Sequence, residues 1–144
     1  MINIENKVYD TVRTALFNQL GTVYTDLMTY SDYPMELPKF PSVTIVEISN
    51  ITYTRGQDEH LSDNYGEVTY QIDVYMNGQN RKTIARQVLE CADAAMLGMK
   101  FTRTMMAQTP NADRNIYRHT ARYTAVVKAG ETSGDDTVYQ MYRR

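Results

Sequence analysis

The sequence has one cysteine, two histidines and no tryptophan in 144 residues. Cys91 alone excludes an internal disulfide framework. Its place on the apolar stripe of an expected helix makes it a buried, inert thiol. A metal centre needs three or four convergent ligands. His60 stands beside Asp58 and Glu59 in a polar stretch and reads as part of a solvated loop. His119 falls on a tyrosine-bearing strand face and reads as packing or interface. No apolar run approaches the ~18 residues of a membrane span. The start, Met1-Ile2-Asn3-Ile4-Glu5, lacks the basic region and apolar core of a secretory leader. Folding in a reducing cytoplasm is therefore expected.

Charge of one sign is lacking as well. The formal net charge is -2, whereas nucleic-acid-binding domains carry a strong basic excess. The charge is nonetheless unevenly spread. Between Val23 and Gln79 nine acids face only Lys39 and Arg55, and between Gly98 and Lys128 six bases face only Asp113. Two readings follow. Acidic and basic strands pair within one sheet, or an acidic face of one subunit meets a basic face of the next.

No dinucleotide, P-loop or H-E-x-x-H motif occurs. Asp58-Glu59 and Asp135-Asp136 are adjacent acids in loops and not the facing pair that acid–base chemistry requires. Asn50-Ile51-Thr52 matches a glycosylation sequon, which has no weight without secretion. Pro38-Lys39-Phe40-Pro41 matches P-x-x-P but reads as a loop feeding a strand. No catalytic residue, metal ligand or cofactor is assigned, and an enzyme is not expected.

What is present is periodicity. Ile4, Val8, Val12, Ala15 and Leu16 form one stripe of a helix over 4–20, with Asn3 placed to cap it and Gly21 to end it in left-handed backbone. Ser42–Tyr53 is a strand. Thr54–Gly66 is a long polar, acidic loop. Val68, Tyr70, Ile72, Val74 and Met76 alternate with more polar residues over 67–76, giving one buried and one wetter strand face. The two strands form a long projecting hairpin. Asn77-Gly78 marks a turn, and Asn80 is placed to cap a helix over 81–97 that Gly98 ends. Strands follow over 100–108 and 115–128. In the latter, Tyr117, His119, Ala121, Tyr123, Ala125 and Val127 share one face, and Arg118, Thr120, Arg122 and Thr124 the other. Residues 129–136 read as a flexible linker, and 137–142 as a last short strand or tail.

The expected fold is α+β: an antiparallel or mixed β-sheet with two main helices on one face, in the order α-β-β-α-β-β-tail. Residues 1–128 form one domain, and 129–144 a linker and tail. Twelve tyrosines fit either half-exposed strands or protein contacts.

The element order, together with Leu37-Pro38-Lys39-Phe40-Pro41-Ser42-Val43-Thr44-Ile45, Tyr70-Gln71-Ile72-Asp73-Val74-Tyr75, Ala85-Arg86-Gln87-Val88-Leu89 and Tyr117-Arg118-His119-Thr120-Ala121-Arg122-Tyr123, resembles the tail-terminator and tail-completion proteins of long-tailed, siphovirus-like bacteriophages. The resemblance spans about residues 1 to 128. It implies a homohexameric ring in the virion, at the head–tail interface. Such a ring caps the tail tube, stops its polymerisation and offers a surface to the head connector or stopper. DNA passes through the lumen without specific binding, and no membrane is involved. The interface residues assigned on this basis are Arg55, Asp58, Glu59, His60, Asp63, Tyr65, Arg118 and Arg122. Other ring proteins of the neck or tube share this architecture. A small cytosolic ligand-binding domain or enzyme is the reading from a different class.

Overall fold

The computed structural model describes residues 3–53, 65–133 and 136–142. Its elements are α1 (Glu5–Leu20), β1 (Met28–Tyr30), β2 (Ser42–Tyr53), β3 (Tyr65–Asn77), α2 (Arg81–Gly98), β4 (Thr102–Thr109), β5 (Ile116–Ser133) and β6 (Asp136–Tyr142). The fold is α+β, as the periodicities indicate. The strands form one mixed sheet in the order β1-β2-β3-β5-β4, with β6 also paired to β5. Only β1 and β2 are parallel; the other pairs are antiparallel.

Both helices lie on one face. The α1 stripe Val8, Val12, Leu16 and Leu20 is buried, as are Ala85, Val88, Leu89, Cys91, Ala92 and Met96 of α2. They pack on Val68, Tyr70, Ile72 and Val74 of β3 and on Ala121, Tyr123, Ala125 and Val127 of β5. The β3–β5 register sets these residues side by side, with Tyr70 opposite Tyr123 and Ile72 opposite Ala121. Two polar ties hold α2 to the sheet. The Tyr123 hydroxyl donates to Asp93 Oδ1 at 2.7 Å, and Arg103 of β4 reaches Asp93 Oδ2 at 3.1 Å. Burial and the Asp93 carboxylate both push the Tyr123 phenol far above its usual range, so it stays a donor. On the same side, the Tyr70 hydroxyl donates to Glu47 Oε1 at 3.1 Å.

His119 is buried on this helix-facing side. The Tyr117 hydroxyl lies 3.3 Å from its Nδ1, and the rings meet edge-on at 5.9 Å. Burial first, and then the charges of Arg86 and Lys82 on α2, lower its pKa. A histidine whose folded pKa is lowered favours unfolding once it protonates. Stability is therefore expected to be full above the ordinary histidine value of about 6.5 and to fall as pH drops below it toward the lowered folded value. Chemical denaturation of wild type and His119→Gln at pH 7.5 and 5.0 checks this. The variant should lose less stability between the two pH values, and equal losses would show that His119 does not set the pH dependence.

The helix ends differ from expectation. Gly21 is right-handed (φ -64°), and its N–H bonds Phe17 O, so α1 continues into further turns. Asn80 does precede α2, but in left-handed backbone (φ 62°) and without a side-chain cap. Gly98 is the last residue of α2, and the left-handed residue that turns the chain is Lys100 (φ 74°). The turn at Asn77-Gly78 stands, with Gly78 at φ 79°.

Two strand boundaries also change. The irregular region after α1 contains β1, whose residues pair Met28 with Ser42 through Tyr30 with Thr44. The Tyr9 hydroxyl anchors β1 to α1 through Thr29 Oγ1 at 2.9 Å. At the other end, the stretch expected as a flexible linker is largely strand. β5 runs on to Ser133 and β6 returns along it, pairing Ala129 with Tyr139 and Lys128 with Gln140. Backbone pairing with β6 gives this Gly/Ser-rich stretch a structure that its side chains do not specify.

Candidate functional site

Among the described residues, the second face of the sheet carries no helix. The register builds it as rows running across the strands. Ser42, Tyr75, Arg118 and Thr109 share one row. Thr44, Asp73, Thr120 and Ala107 share the next, and Val46, Gln71, Arg122 and Met105 the third. Further along lie Thr69 beside Thr124, hydroxyls 3.2 Å apart, and then Ile51, Glu67, Val126 and Tyr142.

The middle rows form a connected polar network around Asp73, whose side chain is 0% exposed. Arg118 Nε donates to Asp73 Oδ1 at 2.9 Å. The Thr120 hydroxyl donates to the same oxygen, and Thr109 Oγ1 donates to Thr120 Oγ1 at 2.7 Å. Gln71 Nε2 donates to Asp73 Oδ2 at 2.9 Å, and Gln71 Oε1 accepts from Arg122 Nε at 2.9 Å. The buried carboxylate is thus met by three donors, one of them the Arg118 cation, the condition under which burying a charge is tolerated. The hydrogen bond to Asp73 holds the Arg118 guanidinium more firmly protonated than usual.

The proline-rich segment meets this face through Tyr33. Gln71 Nε2 also reaches the Tyr33 hydroxyl at 3.4 Å. Burial, then the Asp73 charge, raises the Tyr33 and Tyr75 pKa values, so both rings stay neutral. Arg118 stacks over the Tyr75 ring at 5.6 Å. A cleft of about 290 Å³ opens beside it, lined mainly by Tyr33, Pro34, Leu37, Tyr75, Asp113 and Ile116. Its walls are mostly apolar, with few convergent polar groups for small-molecule chemistry.

The network leaves both arginines half used. Among the described residues, Arg118 and Arg122 each make their side-chain hydrogen bonds through Nε. Arg118 is 22% exposed, and Arg122 is exposed. Each guanidinium is held at Nε and keeps exposed surface, and its remaining N–H groups suit capture of a carboxylate. Ile48, Ile51 and Tyr142 are exposed on the same face. Ile48 is the extra residue where the β2–β3 register shifts between Glu47 and Ser49.

The assigned interface residues divide in two. Arg55, Asp58, Glu59, His60 and Asp63 lie outside the described residues. Tyr65 opens β3, opposite Tyr53 and Lys128. Arg118 and Arg122 come together on the open face, as their alternation indicated. The pairing of acidic with basic strands holds for Asp73 and Arg118. It does not extend to Arg122, whose cross-strand partner is the neutral Gln71. Sequence reasoning missed Tyr33, Asp73, Gln71 and Thr120 as members of the site. Alternation placed Gln71 and Asp73 on the wetter face; only the register shows that they meet the arginines.

Among the described residues, no cluster of three or more His, Cys, Asp or Glu side chains is arranged to hold a metal ion. Burial raises the Cys91 pKa, and its thiol lies 3.6 Å from Ala15 O, so it is poorly placed as a nucleophile. No described helix is long and apolar enough to cross a membrane.

No protein-family model matches the chain, and no curated protein matches it. Solved structures do: 28 chains match. One of them, which has no descriptive name, is 12% identical and covers 86% of this chain and 97% of its own length, with a TM-score of 0.44.

Proposed function

We propose that this chain is a structural subunit of a long-tailed bacteriophage. It assembles into a homohexameric ring at the head-proximal end of the tail tube, ends tube growth and joins the tail to the head connector or stopper. The observation that carries this reading is the open sheet face. It presents two arginines pre-set by a buried network, flanked by exposed Ile48, Ile51 and Tyr142. Arginine and tyrosine are enriched where binding energy concentrates. Holding their side chains in place before contact lowers the entropic cost of association. The α+β element order, which matches the phage resemblance of residues 1 to 128, supplies the context.

The function is then one of binding geometry and requires no bond making. The subunit is made in the bacterial cytoplasm and ends in the virion, where its partners are copies of itself, the tube protein and the connector. A net charge of -2 suits a ring through which DNA slides without the counterion-release binding that a basic lumen would give.

Growth of tail tubes from purified tube protein tests the terminating role. Added at about one ring per tube end, this protein is expected to shorten the tubes and leave extra density at one end in electron micrographs. Unchanged tube lengths and bare ends would refute it.

A further inference from the structure

Asp73 bonds Arg118 directly, and one further residue connects it to Arg122. Gln71 is the link. Its Nε2 donates to Asp73 Oδ2 at 2.9 Å, and its Oε1 accepts from Arg122 Nε at 2.9 Å. We propose that Asp73 is a positioning residue for Arg122, acting through the orientation of the Gln71 amide, and that the cation fixed in this way receives a carboxylate from a docking protein. The relay stands on the geometry of one chain. The docking partner rests on the assembly reading given above, and the relay specifies what this face offers it.

The amide has one orientation that serves both neighbours. An ionised carboxylate accepts and never donates, and a guanidinium N–H donates and never accepts. Gln71 therefore turns its NH2 toward Asp73 and its oxygen toward Arg122. Reversed, it would set oxygen against carboxylate oxygen and N–H against N–H. The Tyr33 hydroxyl, 3.4 Å from Nε2, accepts from the same end of the amide. Burial makes the choice strict. Asp73 is 0% exposed and Gln71 7%, and an unmet polar group is costly where water is excluded.

Arg122 itself is exposed. Its partner Gln71 is neutral, so the side chain is held without losing its charge. Among the described residues it has no ion pair, whereas Arg118 spends its charge on Asp73. The row that Arg122 shares with Gln71 also contains Val46 and Met105, both half-buried. A fixed, uncompensated guanidinium between apolar neighbours is complementary to a carboxylate set on an otherwise apolar protein surface. The remaining guanidinium N–H groups match that planar anion. Fixing the side chain beforehand removes part of the entropy that docking would otherwise cost.

Asp73→Asn separates a relay from a simple contact. Arg118 Nε and the Thr120 hydroxyl both donate to Oδ1. The asparagine oxygen therefore stays at that position, and its NH2 takes the place of Oδ2. That NH2 faces Gln71 Nε2, donor against donor. Gln71 turns over, and its own NH2 then faces the Arg122 Nε–H. The substitution thus releases Arg122, which it does not touch, while Arg118 stays bound.

Arginine-selective 15N labelling reads the two Nε–H groups separately, by their exchange with water. In wild type both are expected to exchange slowly. In Asp73→Asn the Arg122 group should exchange about tenfold faster, with the smaller change at Arg118. Gln71→Leu, which keeps every charge, should free Arg122 to a similar extent and leave Arg118 slow. An Arg122 rate equal to wild type in either variant would overturn the relay, as would a change confined to Arg118 in Asp73→Asn. A capped tetraglutamate peptide then probes the partner. It should shift the Arg122 Nε signal, by binding single chains or by displacing a neighbouring copy, and tetraglutamine should not. Gln71→Leu should need about fivefold more peptide for the same shift. Equal peptide requirements would show that positioning adds nothing to capture, and a tetraglutamate response no larger than that of tetraglutamine would remove the carboxylate partner. The exchange rates are read on the chain itself, so a wild type that forms no rings would refute the assembly reading and leave the relay standing.

Discussion

Replacing Asp73 with alanine is expected to destabilise the fold by about 3 kcal/mol, the lower end of the range for breaking a buried ion pair. The lower end applies because Arg118 is 22% exposed and can turn its guanidinium to water. The loss still exceeds that of a surface pair, which is worth about 0–1 kcal/mol. Asp73 is fully enclosed and accepts from Arg118, Thr120 and Gln71 together. Its removal leaves the Thr120 hydroxyl and one Gln71 donor without their acceptor in a buried setting, and each such group costs about 1–3 kcal/mol unless it finds water. Asp73→Asn keeps the shape and one acceptor oxygen, and a loss of about 1–2 kcal/mol is expected from the weaker, uncharged hydrogen bonds. Replacing the pair together, as Asp73→Leu with Arg118→Met, should recover much of the loss, since apolar residues of similar volume often replace buried pairs without penalty. Urea denaturation gives all three values. An Asp73→Ala midpoint equal to wild type would mean that the network adds nothing to stability.

The second large effect is expected at Phe101. Its side chain is fully buried, and its ring meets Tyr70 edge-on, with centroids 5.7 Å apart and planes at 89°. The residue also sits at a junction. α2 ends just before it, Lys100 turns the chain with positive φ, and Phe101 N–H returns to Met96 O at 3.2 Å. β4 begins one residue later. Phe101→Ala empties a large volume at the point where α2 is locked to the sheet, and a loss of about 3–5 kcal/mol is expected. Phe101→Leu fills most of the space and should cost less than half as much. Thermal and urea unfolding measure both. Similar costs for the two variants would show that the junction tolerates a cavity and that the aromatic edge contact is incidental.

The periodic parts of this fold were legible in the sequence. The alternation over 67–76 named the face of β3 that packs on the helices, and the stripes of α1 and α2 named their buried sides. The parts that failed depend on distant partners. β1 is three residues long and exists because β2 lies beside it. The continuation of β5 exists because β6 returns along it. Gly21 and Gly98 do stand at the ends of α1 and α2, but in right-handed backbone, and the left-handed turn after α2 falls to Lys100. For the site, Arg118 and Arg122 were legible as one strand face. Their partners were not, because Asp73 and Gln71 lie 45 and 51 residues away in the chain and meet the arginines only once β3 and β5 pair.

On the reading proposed above, the open face joins copies of this chain into a ring. Electron microscopy of the purified protein at tens of micromolar, in low salt, tests it most directly. Rings with six-fold symmetry are expected, thinning out as salt screens the charged contacts. A uniform population of single 16.6 kDa chains under those conditions would contradict it.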